Sequence, residues 1–389
     1  MSDRHSAATV AVVGAGFSGA VIAHLIAEAG HHVTVFEMRN HVAGNCHTKR
    51  DDSTGIMLHV YGPHIFHTDS EAVWNFVNQF DEFLPYVNRV KAISRNRVYS
   101  LPINLLTINN FFGLTLSPTE ARKYIYAMGD KSIHNPQSFE DWALRFLGRE
   151  LYHAFFEGYT LKQWGTHPSE LPADIIKRLP VSFNYDDNYF HHRYQEIPRN
   201  GYTRIVEQLL ESSNIDLHLG TPVGVETGKE FDHVFYSGSI DSWFGSQFGP
   251  LDYRTLDFDR IDSEGDYQGC AVMNYCDVDV PWTCISEHKH FAPWESHETT
   301  TCFREYSRRH EPGDIPYYPV RLLREKEILM KYLDLAQRER NVTFVGRLGT
   351  YRYLDMDVTI REAIEVAQRY LECRTSGLRM PAFYIDPLQ

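Results

Sequence analysis

Residues 14–19 read Gly-Ala-Gly-Phe-Ser-Gly, a G-x-G-x-x-G spacing, and Glu37 follows about twenty residues on. Residues of these types at this spacing can hold a dinucleotide. Gly14 permits a tight turn, Gly16 lets a pyrophosphate approach the backbone, and Gly19 lets a helix pack close to a strand. Phe17 and Ser18 stand at the helix start, where free N–H groups and the positive dipole end suit phosphate. Glu37 suits a pair of ribose hydroxyls. A lone glycine pattern is weak, so the flanking elements decide. Thr9–Val13 is a β-branched, apolar run that reads as a buried strand. Ala20, Ile22, Ala23, Leu25, Ile26 and Ala29 recur at helical spacing, with Gly30 as the stop, and Val33–Phe36 is a second strand. Strand, helix and terminal acid together predict a dinucleotide-binding βαβ unit, for NAD or FAD.

The elements that must position such a site follow along the chain. Ser70–Phe80 has helical periodicity, and residues 97–101 read as strand. Residues 103–180 are mostly helical in pattern. Ser117-Pro118-Thr119-Glu120 and Ser138-Phe139-Glu140-Asp141 are helix starts with a capping serine. Residues 231–236 read as strand. Alternating segments at 269–275, 282–286 and 300–306 predict an antiparallel sheet. A strand over 341–346 and an amphipathic helix over 358–370 close the pattern, and the residues after Gly377 read as a loose tail.

The 389 residues are 43% hydrophobic and 23% charged, ordinary for a globular protein of two or three domains. A formal charge of −13 argues against nucleic-acid or anionic-membrane binding, while leaving room for a local basic pocket. No apolar run is long enough for a membrane span. The polar first nine residues lead straight into a strand, so no secretory leader is expected. The six cysteines contain no C-x-x-C pair, which disfavours a zinc site, and in a cytoplasmic protein they would be reduced thiols. The His31-His32 and His191-His192 pairs read as packing or surface residues, and no metal is expected.

Met38–Asn45 is similar to the post-strand segment of FAD enzymes of the amine-oxidase type, where Arg39 and the Gly44-Asn45 turn would cover the diphosphate. That tips the dinucleotide to FAD. Ala43 stands where those enzymes carry glycine, and an alanine fits there unless φ is positive. With VGAGFSGA, HVYGPHIFHT, FFEGYTLKQWG, PSELPADIIKRLPVSFNYDDNYF, GDYQGCAVMNYCDVDVPWT, EYSR, IPYYPVR and FVGRLGTYRYLDMD in this order, the chain resembles the bacterial UDP-galactopyranose mutase family over residues 8–372.

The resemblance implies an α/β fold: a Rossmann-type FAD-binding domain (8–82, 198–246 and 320–377), an inserted helical-bundle domain (103–174), and an antiparallel β-sheet domain (83–102, 175–197 and 247–319). It implies an isomerase interconverting UDP-galactopyranose and UDP-galactofuranose, with reduced flavin N5 attacking the anomeric carbon and UDP as leaving group. FAD would have to be reduced, with NAD(P)H as the reductant, and a cytoplasmic homodimer is implied. Arg178 matches a mobile-loop arginine for the diphosphate. Tyr159, Tyr189, Tyr318 and Tyr353 match phenols that reach phosphates or sugar. Phe155, Phe156, Thr160 and Trp164 match the uridine site, with Gly158 and Gly165 suited to a closing lid. Asn88 and Asn274 match further substrate contacts. Arg347, Leu354, Asp355 and Met356 match the far end of the FAD site, and His64 a histidine beneath the flavin. An FAD oxidoreductase of the amine-oxidase kind and a silent nucleotide-sugar binder are the competing readings, and the tyrosine and aromatic sets favour the mutase.

One departure stands out. The family carries arginine where this chain has Cys284. A thiol is largely neutral at pH 7 and a weak donor. Losing a charge-assisted bond costs about 1.5–3 kcal/mol, roughly 10- to 150-fold in rate. Three explanations are open: another substrate, such as dTDP-fucopyranose or UDP-N-acetylgalactosamine; compensation by Lys289 or Arg304; or an impaired enzyme.

Overall fold

A computed structural model describes residues 8–173, 181–321 and 326–388. Its centre is a five-stranded parallel sheet in the order Ile215–His218, His32–Phe36, Thr9–Val13, His233–Tyr236, Val342–Phe344. Alternation along Thr9–Val13 feeds two cores. Val10 and Val12 pack towards the helices Phe17–Glu28 and Met356–Ser376, and Ala11 towards Lys326–Arg338. Helices on both faces are what a parallel sheet requires.

A second sheet has seven strands, ordered Tyr318–Pro319, Tyr253–Glu264, Thr299–Arg309, Cys284–Glu287, Val272–Tyr275, Val90–Ser94, Arg97–Leu101. It departs from the expected antiparallel pattern at one join, where Val272–Tyr275 runs parallel to Val90–Ser94. A helical layer covers one end of it: Leu105–Phe112, Pro118–Met128, Phe139–Leu147 and Glu157–Trp164. Ser117 with Glu120, and Ser138 with Asp141, form reciprocal capping boxes. A π-helical turn, Tyr152–Phe156, precedes Glu157–Trp164.

The structure corrects several sequence expectations. The helix Phe17–Glu28 ends at Ala29, and Gly30 follows it at φ +86°. The last helix runs to Ser376. The tail is docked rather than loose: Phe344 N–H donates to the Ala382 carbonyl, the Thr343 hydroxyl to that of Pro381, and the Arg321 guanidinium to that of Pro387.

Candidate active site

In the glycine-rich turn, Gly19 is held by packing and Gly16 is not. A Cβ on Gly19 would lie 1.9 Å from the Gly14 carbonyl oxygen and 2.9 Å from Val12 Cγ1. A Cβ on Gly16 would meet only Gly44 Cα, at 3.9 Å. Gly16 and Gly44 therefore approach each other closely, and a Cβ on Gly16 would otherwise stand in open space. The helix starting at Phe17 has no side-chain cap, so its first-turn N–H groups are available to an anion. Ser18 sits beneath the turn at Gly346, and Phe17 packs edge-to-face on Tyr202.

Glu37, 5% exposed, is already engaged by the backbone: its carboxylate accepts from Ala15 N–H (2.8 Å) and Arg39 N–H (2.9 Å). Lone pairs remain for ribose hydroxyls. Arg39 donates to Asn45 Oδ1 (2.8 Å) and lies over Tyr61, while its buried Nη1 has no partner. A buried guanidinium nitrogen without an acceptor, beside a gap walled by two glycines and a free helix end, fits a dinucleotide diphosphate. Ala43 takes φ +74°, the left-handed region, so the alanine is strained where a glycine would not be.

At the other end of this cradle, Arg347 donates to the carbonyls of Leu354 (2.7 Å) and Tyr317 (3.3 Å). Its guanidinium lies over the rings of Tyr318 and Tyr353, which stack on each other at 5.6 Å. Leu354 is buried, Asp355 caps the last helix by position, and Met356 begins it. His64 Nδ1 donates to the Gly62 carbonyl (2.9 Å), which leaves Nε2 unprotonated. Burial, helped by Arg347, pushes the His64 pKa down to about 4.

Tyr159, Tyr189 and Tyr318 converge here. Tyr159 lies within electrostatic reach of Tyr189, Tyr318, Cys284 and Glu305, and Tyr189 within reach of Tyr353 and Asp355. Burial raises the phenol pKa of Tyr159 and Tyr318 well above its ordinary value, and that of Tyr189 to about 12. All three are neutral hydrogen-bond donors at pH 7. The buried Asn88 Oδ1 has no partner, and the Asn88 carbonyl accepts from Tyr189 N–H (2.9 Å). An orphaned acceptor of this kind suits a ligand hydroxyl.

The sheet supplies one wall. Cross-strand register places Phe258, Glu305, Cys284 and Asn274 in a single row across four strands. Cross-strand partners share a face, so these four side chains stand together and Arg304 points to the opposite face. That removes Arg304 as a substitute cation; its guanidinium stacks on Trp282. Lys289 is removed as well, since it bonds the Gly265 carbonyl and pairs with Asp266. Compensation by either residue is therefore overturned.

Thr160 is buried, and Trp164 packs against the helical core. Phe155, 4% exposed, packs edge-to-face on Tyr99 and against Phe111, and Phe156 packs against Phe139. Both are buried in the helical core. Gly158 and Gly165 are packing glycines rather than lid hinges. A Cβ on Gly158 would lie 2.4 Å from the Cys276 carbonyl oxygen, and one on Gly165 would lie 2.3 Å from the Arg254 guanidinium. Arg178 lies outside the described residues.

Sequence reasoning missed three residues that shape the site. Lys162 donates to the carbonyls of Tyr275, Asp277, Val280 and Trp282 at 2.7–3.0 Å, tying the helix of Tyr159 to the loop between Asn274 and Cys284. Arg254 donates to the Gln163 carbonyl (3.0 Å) at the end of that helix. Glu305 is the third, and only strand register could have placed it beside Cys284.

A parallel sheet of dinucleotide-binding type, a second sheet and a cluster of tyrosines beside Arg347 define a flavoprotein-type architecture. The model of an NAD(P)-binding Rossmann-like domain matches residues 12–80, and that of UDP-galactopyranose mutase matches residues 154–353. The chain is 57% identical over 376 residues to a probable UDP-galactopyranose mutase of Klebsiella pneumoniae, covering 97% of this chain and 98% of the relative. It is 55% identical over 370 residues to a dTDP-fucopyranose mutase of Escherichia coli, covering 93% and 98%. A crystal structure of reduced UDP-galactopyranose mutase shares the fold, with a TM-score of 0.72 at 15% identity over 98% of this chain and 99% of that one. The chain belongs to the UDP-galactopyranose mutase family, whose members are flavin-dependent isomerases.

Proposed function

We propose that the protein interconverts the pyranose and furanose forms of a nucleotide-linked sugar, with UDP-galactose as the first substrate to test. The observation that carries this reading is the meeting of Tyr159, Tyr189, Tyr318, Arg347 and His64 at the end of the dinucleotide cradle. Reduced FAD would supply the nucleophile for the anomeric carbon, bound by Gly14, Gly16, Gly19, Glu37, Arg39, Gly44, Asn45 and the Arg347–Met356 segment. The phenols donate hydrogen bonds to phosphate or sugar oxygens without adding negative charge. Arg347 keeps Tyr318 and Tyr353 stacked beneath it, and neutral His64 offers Nε2 as an acceptor. Arg178 is the proposed cation for the departing diphosphate. A homodimer, a cytoplasmic location, NAD(P)H as reductant and the domain boundaries rest on the family resemblance.

A second substrate, dTDP-fucopyranose, is favoured by Cys284 and by the Escherichia coli relative at 55% identity. The test is anaerobic incubation of dithionite-reduced protein with UDP-galactofuranose and, separately, dTDP-fucofuranose, with products separated by anion exchange and an oxidised control. Conversion of either by reduced protein alone supports the mutase, and the faster one names the sugar. Substrate-dependent net reduction of the flavin, without isomer formation, would overturn it.

A further inference from the structure

Tyr189 stands on a segment with no regular structure of its own. Residues 184–193 carry neither helix nor strand, yet the phenol lies within electrostatic reach of Tyr353 and Asp355 at the end of the dinucleotide cradle. Near the start of the segment, Asp187 pairs with Arg89 and Lys91, each at 3.0 Å. At its end, Arg193 N–H donates to Asp69 Oδ1 (2.8 Å). Between these ties, Tyr189 N–H donates to the Asn88 carbonyl (2.9 Å), and a stack of rings joins the segment to the strand Phe66–Thr68.

The stack centres on His67. Its imidazole lies face to face with the Phe190 ring at 3.8 Å and 23°, and with the His192 ring at 4.7 Å and 28°. Phe190 in turn meets Tyr189 edge-to-face at 5.0 Å. Nδ1 of His67 and Nδ1 of His192 are buried with no hydrogen-bond partner among the described residues, so neither ring is held through that atom. The strand beneath the stack is fixed. Phe66, His67 and Thr68 pair with Glu196, Gln195 and Tyr194, and the Thr68 hydroxyl donates to Asp357 Oδ2 (2.9 Å) in the first turn of the helix Met356–Ser376. His67 follows His64 by three residues, and Asp355 lies within its electrostatic reach. A ring mounted on a fixed strand therefore backs the ring next to Tyr189, and aromatic pairs are directional enough to set its place.

We infer that His67 is a positioning residue: it holds Phe190, and through it Tyr189, so that the phenol hydroxyl meets the nucleotide sugar. His67 acts through Tyr189 rather than by its own contact with the ligand. The inference deepens the proposed mutase reading, from which it takes its ligand class.

Two measurements test it on the FAD-loaded protein. A double-mutant cycle reads the Kd of UDP-galactose by titration calorimetry for the parent, His67→Ala, Tyr189→Phe and the pair. Tyr189→Phe is expected to weaken binding about tenfold by loss of one hydrogen bond. His67→Ala is expected to weaken it roughly two- to tenfold, the worth of an aromatic pair, and to add less than about twofold once Tyr189 is phenylalanine. His67→Phe keeps a flat ring on the strand and is expected to bind as the parent does. Hydrogen exchange of the ligand-free protein then reads the segment directly. The Tyr189 amide is expected to exchange faster in His67→Ala and at the parent rate in His67→Phe. Phe190→Leu opens the same stack from its other ring and replaces His67→Ala if that variant fails to take up FAD. Losses that add in the double variant, a His67→Phe protein as weak as His67→Ala, or unchanged exchange at Tyr189 would overturn the assignment. If the parent binds neither UDP-galactose nor dTDP-fucopyranose, the mutase reading fails, and the exchange rates still decide whether His67 holds the segment.

Discussion

Alanine at Gly16 and alanine at Gly19 separate the cofactor role of the glycine turn from its packing role. At position 16 the backbone has φ −79°, open to any residue, and the new Cβ would meet only Gly44 Cα at 3.9 Å. The cofactor-free protein should then change in stability by ~0.5 kcal/mol or less. At position 19 the new Cβ would lie 1.9 Å from a backbone oxygen that cannot swing aside. Overpacking of this kind, partly offset by alanine's better helix propensity, costs about 2 kcal/mol. The methyl at 16 does its damage in the gap, where it separates backbone N–H groups from a diphosphate oxygen. Losing one charge-assisted bond costs about 1.5–3 kcal/mol, or roughly 10- to 150-fold in FAD Kd. Flavin-stripped protein would be followed by thermal unfolding, and FAD binding by quenching of flavin fluorescence. Gly16→Ala should keep its melting temperature and lose FAD, while Gly19→Ala should melt lower. A Gly16→Ala protein that binds FAD as tightly as the parent, or melts as low as Gly19→Ala, would refute the reasoning.

Four further outcomes follow from the same geometry. Ala43→Gly relieves a left-handed alanine, and after the entropy of the freer unfolded chain a gain of about 0.5 kcal/mol remains, measurable by urea unfolding. Cys284→Arg places a guanidinium in the sheet row beside Glu305. It should raise turnover of UDP-galactose at least ~10-fold if the missing cation limits the rate, and no gain would show that this position serves another substrate. Lys162→Met removes the ammonium bonds to four carbonyls, of which that of Asp277 keeps a bond from Val280 N–H, at a cost of about 2–3 kcal/mol; protease nicking within residues 275–282 and a higher KM should accompany it. Burial depresses the pKa of His64 to about 4 and that of His233 and His288 to about 3, each below the ordinary 6.5. The folded state therefore binds fewer protons than the unfolded chain. Stability should be full above pH ~6.5 and fall as pH drops towards the folded values, by up to about 1.4 kcal/mol per unit per group. Unfolding of cofactor-free protein by urea at pH ~7 and ~5 checks this, with His233→Gln expected to shallow the fall.

The first strand, the glycine turn and Glu37 were legible because their signals are local: β-branched residues, turn glycines and helical spacing within one short stretch. The serine-capped helices were legible for the same reason. The strands Thr48–Arg50, Met57–His59, Phe66–Thr68 and Phe83–Pro85 were missed because three residues carry no measurable alternation. The docking of residues 378–388 was missed because its anchors, Thr343, Phe344 and Arg321, are remote in sequence. Gly158 and Gly165 were misread as hinges because a glycine's composition signal does not reveal whether a carbonyl or a guanidinium presses against it. The resemblance placed the tyrosines and Cys284. The partner of Cys284 could not be read in the same way, since Glu305 is twenty-one residues distant and only antiparallel register brings it opposite.

The charge pattern of the cleft follows from that register. Period-two alternation along Thr299–Arg309 sends Arg304 to one face and Glu305 to the other, so a basic residue adjacent in sequence is withheld from the cleft. The sheet wall is left with an amide, a thiol and a carboxyl, while Arg347 lies over the stacked tyrosines. An anionic ligand group is then favoured near Arg347 rather than against the sheet row. A diphosphate placed against the sheet row would meet an amide, a thiol and a carboxyl, none of which supplies a positive charge. The charge that an anionic ligand meets at this wall is thereby set by which residues of one strand point inwards.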